Sequence, residues 1–128
     1  MGTFSVSIGV GDPEGRRFVA ADALVDTGAT FLSMPRGTLS SLGIPPVERA
    51  SFMLASGESV EYDIGLVSLR LAGRTLPVFC VLGDEGSEPL LGAIPLESFR
   101  LSVDPVSRQL VSVPGRLMGQ HHAAEAAS

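Results

Sequence analysis

One aspartate stands where a carboxylate could do chemistry. Asp26 follows the apolar segment 23–25 and opens the polar turn Asp26-Thr27-Gly28, after which the chain becomes apolar again. In such a turn the carboxylate can simply cap backbone amides. It can also act as an acid or base in a hydrolytic reaction, and three residues alone do not decide between these roles. Phosphoryl transfer through Asp26 lacks support, because the sequence has no alternating strand and helix pattern and no lysine after the aspartate.

The other residues that could do chemistry favour structural roles. His121 and His122 are adjacent and have no third or fourth ligand, so a metal site is not expected there. Cys80 stands in an apolar segment and is expected to be a small buried residue. The acidic segment 83–88 has the character of a solvated loop and not of a calcium site. We therefore predict a protein without metal or other cofactor.

The elements that must position Asp26 are predicted to be strands. The chain has 128 residues, of which 45% are hydrophobic and 18% are charged, and this suits one compact domain. It contains 15 Gly and 9 Pro, whereas good helix formers are sparse. This composition favours a small β-rich domain with many turns.

Charge and hydropathy narrow the range of partners and locations. The formal net charge of −5 disfavours a nucleic-acid-binding surface, which needs a basic stripe. No apolar run reaches the length of about 18 residues that a membrane span needs, and residues 1–6 lack the apolar core of a signal peptide. A single cysteine suits a reducing compartment. We therefore expect a cytoplasmic protein that binds neither nucleic acid nor a membrane.

The first half of the chain is predicted to form a hairpin, a short strand and a helix. Residues 4–10 alternate between apolar and small polar types, as a half-buried strand does, and residues 16–24 would return antiparallel to them. Residues 31–34 would form a short buried strand. Pro35 suits the first turn of a helix that would end near Leu42, with Gly43 as its cap.

The second half is predicted to contain two more hairpins around a central strand. Residues 52–71 form a long hairpin, and a change of apolar phase along its second strand predicts a bulge near Gly65. The almost wholly apolar segment 76–82 predicts a central strand. Segment 95–99 predicts a helical turn that begins at a proline, and segment 101–113 predicts a closing hairpin.

Two motifs, in this order, carry a resemblance to a known family. Segment 25–30 around Asp26 and segment 89–96 around Leu91-Gly92, with the long hairpin between them, resemble the retropepsin-like aspartic peptidases. These include retroviral proteases and single-domain bacterial relatives. The resemblance covers residues 4–113 and implies an all-β, closed-barrel-like acid protease fold with a flap hairpin and one or two short helices. The peptidase domain would span residues 1–113, and residues 114–128 would form a disordered tail.

The resemblance implies an aspartic endopeptidase that works as a homodimer. The sequence contains a single Asp-Thr-Gly, and two carboxylates about 3 Å apart hold one proton between them. Two Asp26 side chains, one from each subunit, would activate the water that attacks the peptide bond. Thr27 would hydrogen-bond across the dimer axis, and Gly28 would donate its backbone N–H to the carboxylate. Leu91 and Gly92 would pass beneath the loop, where only glycine permits a close approach.

The resemblance also implies where a peptide or protein substrate would bind. The residues expected to contact it come from the aspartate loop, the flap tip and the segment after Gly92: Ala29, Thr30, Ala55, Ser56, Gly57 and Ile94. Two features depart from the retroviral pattern, namely the charged Glu58 at the flap tip and Thr30-Phe31 where acidic residues are common. Ala29 stands where two-lobed pepsin-like enzymes commonly carry serine. Without that hydroxyl donor to the ionised carboxylate, activity nearer neutral pH is expected.

A second function remains open on the same fold. The chain could be a catalytically silent dimeric module that binds a peptide or protein without cutting it. The intact Asp26, Thr27 and Gly28 favour the enzyme, because a binding module has no need of a buried carboxylate pair. Sensitivity to pepstatin, or loss of cleavage in Asp26→Asn, separates the two functions.

Overall fold

The computed structural model describes residues 3–115, which form nine strands and two short helices. None of the helices within this range is both long and apolar enough to cross a membrane. In chain order the elements are β1 (Ser5–Gly11), β2 (Phe18–Val25), β3 (Leu32–Pro35), α1 (Arg36–Ser41), β4 (Pro46–Met53), β5 (Ser59–Leu71), β6 (Arg74–Gly83), β7 (Leu90–Leu91), α2 (Ala93–Ser98), β8 (Leu101–Asp104) and β9 (Gln109–Ser112).

Seven of the strands form one sheet that closes on itself. The strand order is β1-β2-β7-β3-β6-β5-β4, and β1 also pairs with β5 through Gly9–Gly11 and Ser68–Arg70. This additional pairing joins six of the strands into a ring, with β4 attached outside it to β5. The predicted all-β, closed-barrel-like architecture is confirmed.

The apolar side chains that alternate along the strands fill the interior of the ring. Cys80 on β6 is fully buried, and burial raises the pKa of its thiol well above the usual range. The prediction of a central strand at 76–82 is confirmed, because β6 lies between β3 and β5. Other fully buried members of this core come from several elements: Val10, Leu32, Leu39, Val67, Leu91 and Phe99.

The two helices follow the sequence signals closely. α1 follows Pro35, and the chain leaves it through Gly43, whose φ of 71° is a left-handed conformation that favours glycine. The Gly43 N–H donates to the Ser40 carbonyl at 2.9 Å. α2 begins at Ala93, two residues before the predicted start at Pro95, because Gly92 serves as its N-terminal boundary.

The hairpin of β4 and β5 is longer than predicted. It begins at Pro46 rather than at residue 52, and its strands pair from Pro46↔Gly65 to Met53↔Ser59. The predicted bulge lies in the opposite strand, because the register shifts between Pro46 and Glu48 while β5 continues regularly. Gly65 is needed for packing instead, since a Cβ there would lie 2.9 Å from Ile44 Cγ2.

The closing hairpin has the predicted form. β8 and β9 pair in a separate two-stranded sheet, and the turn between them begins at Asp104. Hydrogen bonding from the Ser107 side chain, followed by that from the backbone N–H groups of Ser107 and Val106, lowers the pKa of the Asp104 carboxylate. The predicted tail lies outside the described residues from position 116 onward.

Candidate active site

The position of Asp26 is determined by the strand that precedes it. β2 pairs in parallel with β7 through Leu24↔Leu90 and Val25↔Leu91, so the chain enters the loop beside β7. The Asp26 N–H then donates to the Leu91 carbonyl at 3.0 Å. Asp26 is therefore held at the end of an internal strand of the sheet, where its side chain is half-buried.

The loop after Asp26 is closed by its own hydrogen bonds. The Gly28 N–H donates to Asp26 Oδ1 at 2.9 Å, and the Ala29 N–H donates to the Asp26 carbonyl at 3.0 Å. Within residues 3–115, no hydrogen bond engages Asp26 Oδ2. A Cβ at Gly28 would lie 3.2 Å from Asp26 Oδ1, so glycine gives the carboxylate room beside the donating amide. One carboxylate oxygen is thus fixed while the other is available.

Gly92 passes directly beneath this loop. A Cβ at Gly92 would lie 2.5 Å from the Phe31 carbonyl oxygen and 2.6 Å from that of Ala29, distances that no real Cβ occupies. The following backbone is joined to the same loop, since the Ala93 N–H donates to the Ala29 carbonyl at 2.8 Å. The close approach expected at Gly92 is therefore present in the structure.

The residues expected to bind substrate fall into two groups. Ala29, Thr30 and Ile94 lie together, because the Ile94 N–H donates to the Thr30 carbonyl at 2.9 Å and the Ile94 side chain is 43% exposed. The second group, Ala55, Ser56 and Gly57, lies in the exposed tip of the hairpin, residues 54–58. Among residues 3–115, the hydrogen bonds of this tip stay within it, as in the 2.9 Å bond from the Gly57 N–H to the Leu54 carbonyl.

A pocket of about 470 Å³ opens beside Asp26 and Thr27. Val25 also lines it, and its remaining walls come from near the two ends of the described chain: Thr3, Phe4, Val103, Pro105 and Arg108. The Arg108 guanidinium donates to the Thr3 carbonyl and brings a positive charge to this pocket. Sequence reasoning missed Arg108, because it lies 82 positions after Asp26 in an ordinary turn and no local pattern connects the two.

The family model for aspartyl proteases matches residues 6–93, which is more than half of the chain and includes segment 25–30 and Leu91-Gly92. This chain belongs to the aspartyl protease family. No curated protein sequence matches this chain at a significant level. The predicted resemblance to retropepsin-like enzymes is confirmed at the level of family and fold.

Solved structures of retroviral and bacterial proteases share the fold of this chain. The EIAV protease complexed with the inhibitor HBY-793 is 16% identical, with a TM-score of 0.54 over 84% of this chain and 90% of that one. A retropepsin-like aspartic protease from Rickettsia conorii is 20% identical, with a TM-score of 0.52 over 81% and 89%. The simian foamy virus (mac) protease is 17% identical, with a TM-score of 0.51 over 73% and 94%. At these identities the likeness concerns the fold alone.

Proposed function

We propose that this protein is an aspartic endopeptidase in which two Asp26 carboxylates, one from each subunit of a homodimer, activate the attacking water. The observation that carries the proposal is the geometry of Asp26. The Gly28 amide holds Oδ1 at 2.9 Å, and within the described chain Oδ2 has no hydrogen-bond partner. A carboxylate that is oriented on one oxygen and available on the other is suited to binding a water or a second carboxyl group.

The need for a second carboxylate supports the homodimer. Asp26 is the only acidic residue among those that line its pocket within residues 3–115. The sequence offers no second Asp-Thr-Gly, so an identical subunit is the simplest source of the missing group. The pocket beside Asp26 and Thr27 opens between the two ends of the described chain, a surface on which a partner's loop would be seated.

The proposed reaction follows from the charge on the pair. Two carboxylates about 3 Å apart do not both ionise, so one is charged and the other carries a proton. The ionised Asp26 takes a proton from the water as it attacks the carbonyl carbon, and the protonated Asp26 gives its proton to the carbonyl oxygen, so that a tetrahedral gem-diol forms. The Asp26 that took the proton from water then passes it to the peptide nitrogen as the C–N bond breaks. The other Asp26 takes a proton from a hydroxyl group of the gem-diol, and a carboxylic acid and an amine are released. Thr27 would hydrogen-bond to the partner's loop and Gly28 would keep the carboxylate oriented. No residue in this scheme requires a metal or other cofactor.

The proposed substrate is an extended segment of a peptide or protein. Ala29, Thr30 and Ile94 would form the floor of the cleft beside the aspartates. The β4–β5 hairpin would act as the flap, with Ala55, Ser56 and Gly57 closing over the substrate backbone. Activity nearer neutral pH, as expected from Ala29, and a cytoplasmic location both stay predictions.

Replacement of the aspartate tests the proposal. Asp26→Asn is nearly isosteric but cannot exchange a proton, so cleavage of a denatured protein substrate is expected to fall by on the order of 10³-fold or more. Asp22→Asn is the matched control, since Asp22 is an exposed aspartate of β2, the strand that precedes Asp26, and this variant should cleave like the wild type. Pepstatin should inhibit the wild type. Undiminished cleavage by Asp26→Asn would overturn the proposal, and peptide binding by a wild type that never cleaves would favour the silent binding module.

A further inference from the structure

The base of the β4–β5 hairpin is joined to the rest of the protein on both of its faces. Neighbouring residues of a strand point to opposite sides of the sheet, so Tyr62 and Asp63 of β5 extend in opposite directions. Each of them contacts an element outside the hairpin. These two residues therefore connect the same point of the hairpin to two separate parts of the molecule.

Asp63 connects the hairpin to the first helix. Its Oδ2 lies 3.0 Å from Nη2 of Arg36, the first residue of α1, and its Oδ1 lies 3.1 Å from Nη1 of Arg49 on β4. The Asp63 side chain is only 23% exposed, so these charges are partly shielded from water. The pair with Arg49 stays inside the hairpin, whereas the pair with Arg36 leaves it. Arg36 lies directly after β3, the strand that follows the Asp26 loop.

Tyr62 connects the other face to the loop between β6 and β7. Its hydroxyl donates to Asp84 Oδ2 at 2.9 Å, and this bond, with some burial, raises the pKa of Tyr62. The Tyr62 ring also packs against Phe52 of β4, with 6.3 Å between centroids. Phe52 in turn makes an edge-to-face contact of 6.0 Å with Phe31, which follows Ala29-Thr30 in the aspartate loop.

From Tyr62 and Asp63 toward the turn, the polar contacts of the hairpin are made within the hairpin itself. The ion pair between Arg49 and Glu61 joins β4 to β5 and reaches nothing outside the hairpin. The turn at its end is closed by the 2.8 Å bond from the Leu54 N–H to the Glu58 carbonyl. Met53, the last residue of β4, is 75% exposed. The boundary between the attached base and the self-contained tip thus falls just beyond Phe52.

We propose that Tyr62 and Asp63 are positioning residues that fix the hinge of the flap, so that closure over substrate is confined to residues 53–59. This inference rests on the proposed function, in which the hairpin is the flap. A fixed base holds the aromatic contact from Phe52 to the aspartate loop in register while the short tip moves. Substrate then has to order only seven residues on binding, and this limits the loss of conformational entropy.

Hydrogen exchange measured by mass spectrometry on the whole protein tests the hinge. In the wild type, amides of residues 53–59 should exchange quickly and those of 60–71 slowly. The double variant Tyr62→Phe with Asp63→Asn keeps the ring contact with Phe52, but it removes the hydroxyl that donates to Asp84 and the negative charge that pairs with Arg36. Exchange at residues 60–64 should then rise by about 5- to 10-fold, because the opening equilibrium of the base shifts.

Glu61→Gln provides the matched control. It removes a carboxylate from the same strand, but the lost ion pair is the one that stays within the hairpin, so exchange at residues 60–64 should change less than about 2-fold. An unchanged rate in the double variant, or an equal rise in Glu61→Gln, would contradict the hinge. So would a rise that extends to β6, because it would indicate general destabilisation.

Peptide cleavage gives a second and separable readout. If the hinge positions the flap, the double variant should raise KM by about the same 5- to 10-fold while kcat changes less than about 2-fold. An unchanged KM would contradict a positioning role. The exchange pattern does not depend on cleavage. A wild type with the expected exchange pattern but no peptidase activity would therefore refute the proposed function and not the attachment of the hairpin base.

Discussion

The Asp26 loop and the tip of the β4–β5 hairpin are both short turns at the ends of strands, but they are held very differently. The loop is bound by backbone hydrogen bonds to the segment around Gly92, which lies within contact distance beneath it. The tip, residues 54–58, is exposed throughout, and its hydrogen bonds join residues of the tip to one another. A Cβ at Gly57 would meet nothing within 4 Å, whereas one at Gly92 would collide with two carbonyl groups.

This difference matches what each turn is proposed to do. A catalytic carboxylate must be in place before the substrate arrives. A loop that is hydrogen-bonded to a buried strand is rigid enough to hold it there. A flap must move, and segments with few contacts beyond themselves open with small free-energy changes. Substitutions in the loop should therefore change stability, and substitutions at the tip should change substrate binding.

The largest effect is expected from Gly92→Ala. The added methyl group would lie 2.5–2.6 Å from the Phe31 and Ala29 carbonyl oxygens, so the loop has to shift and the free energy of unfolding should fall by about 2–4 kcal/mol. Denaturant unfolding measures this change. Gly43→Ala is the control, because it is strained by its positive φ but has open space around it, and it should lose only about 1 kcal/mol. Equal losses in the two variants would refute the close packing beneath the loop.

A smaller and different effect is expected from Gly57→Ala at the tip. Gly57 has a φ of 92°, so alanine there strains the turn, but the tip contributes little to the core. The free energy of unfolding should change by less than about 1 kcal/mol, while KM for a peptide should rise by about 3- to 10-fold with kcat little altered. Steady-state kinetics beside denaturant unfolding checks both parts. A loss of stability comparable to that of Gly92→Ala would erase the distinction between the two turns.

The smallest expected effect is a change in the pKa of Asp63 at the base of the hairpin. The ion pair with Arg36, followed by that with Arg49, lowers the pKa of Asp63 below its ordinary value of 3.8. Because the pKa in the folded state is lowered, the stabilisation is fully present above pH 3.8 and is lost as the pH falls through the lowered value. Carboxyl NMR should find a midpoint below 3.8, and Arg36→Gln should move it upward. A titration midpoint that is the same in Arg36→Gln and in the wild type would argue against the ion pair between Asp63 and Arg36 of α1.

Local sequence patterns predicted most of the fold. Each of the signals that predicted an element lies within a short stretch of sequence. They are the alternation along β1 and β2, the apolar segment of β6, and Pro35 and Gly43 around α1. The side of the bulge was predicted incorrectly, because it depends on how Pro46 meets Gly65 across the hairpin. The pairing of β1 with β5, which closes the ring, joins segments about 60 positions apart and leaves no local signal.

The residues of the candidate site also fall into those that were identified from the sequence and those that were not. The Asp26-Thr27-Gly28 turn is recognisable in the sequence as a polar turn after an apolar strand, whereas its expected role and that of Gly92 came from the resemblance to the retropepsin-like family. Arg108 and the pair of Arg36 with Asp63 were not identified, because their partners are distant in the sequence and arginine is common on protein surfaces. The assignments of Asp26, Thr27 and Gly28 as catalytic, and of the six substrate-binding residues, stay predictions.

The proposed homodimer shares one active site between two copies of this chain. Molecular mass and peptidase activity, measured on the same samples across a dilution series, test this sharing. We expect the mass to fall from that of a dimer to that of a single chain, and the activity per chain to disappear over the same range of concentration. Peptidase activity per chain that stays constant in a sample of monomers would contradict the account.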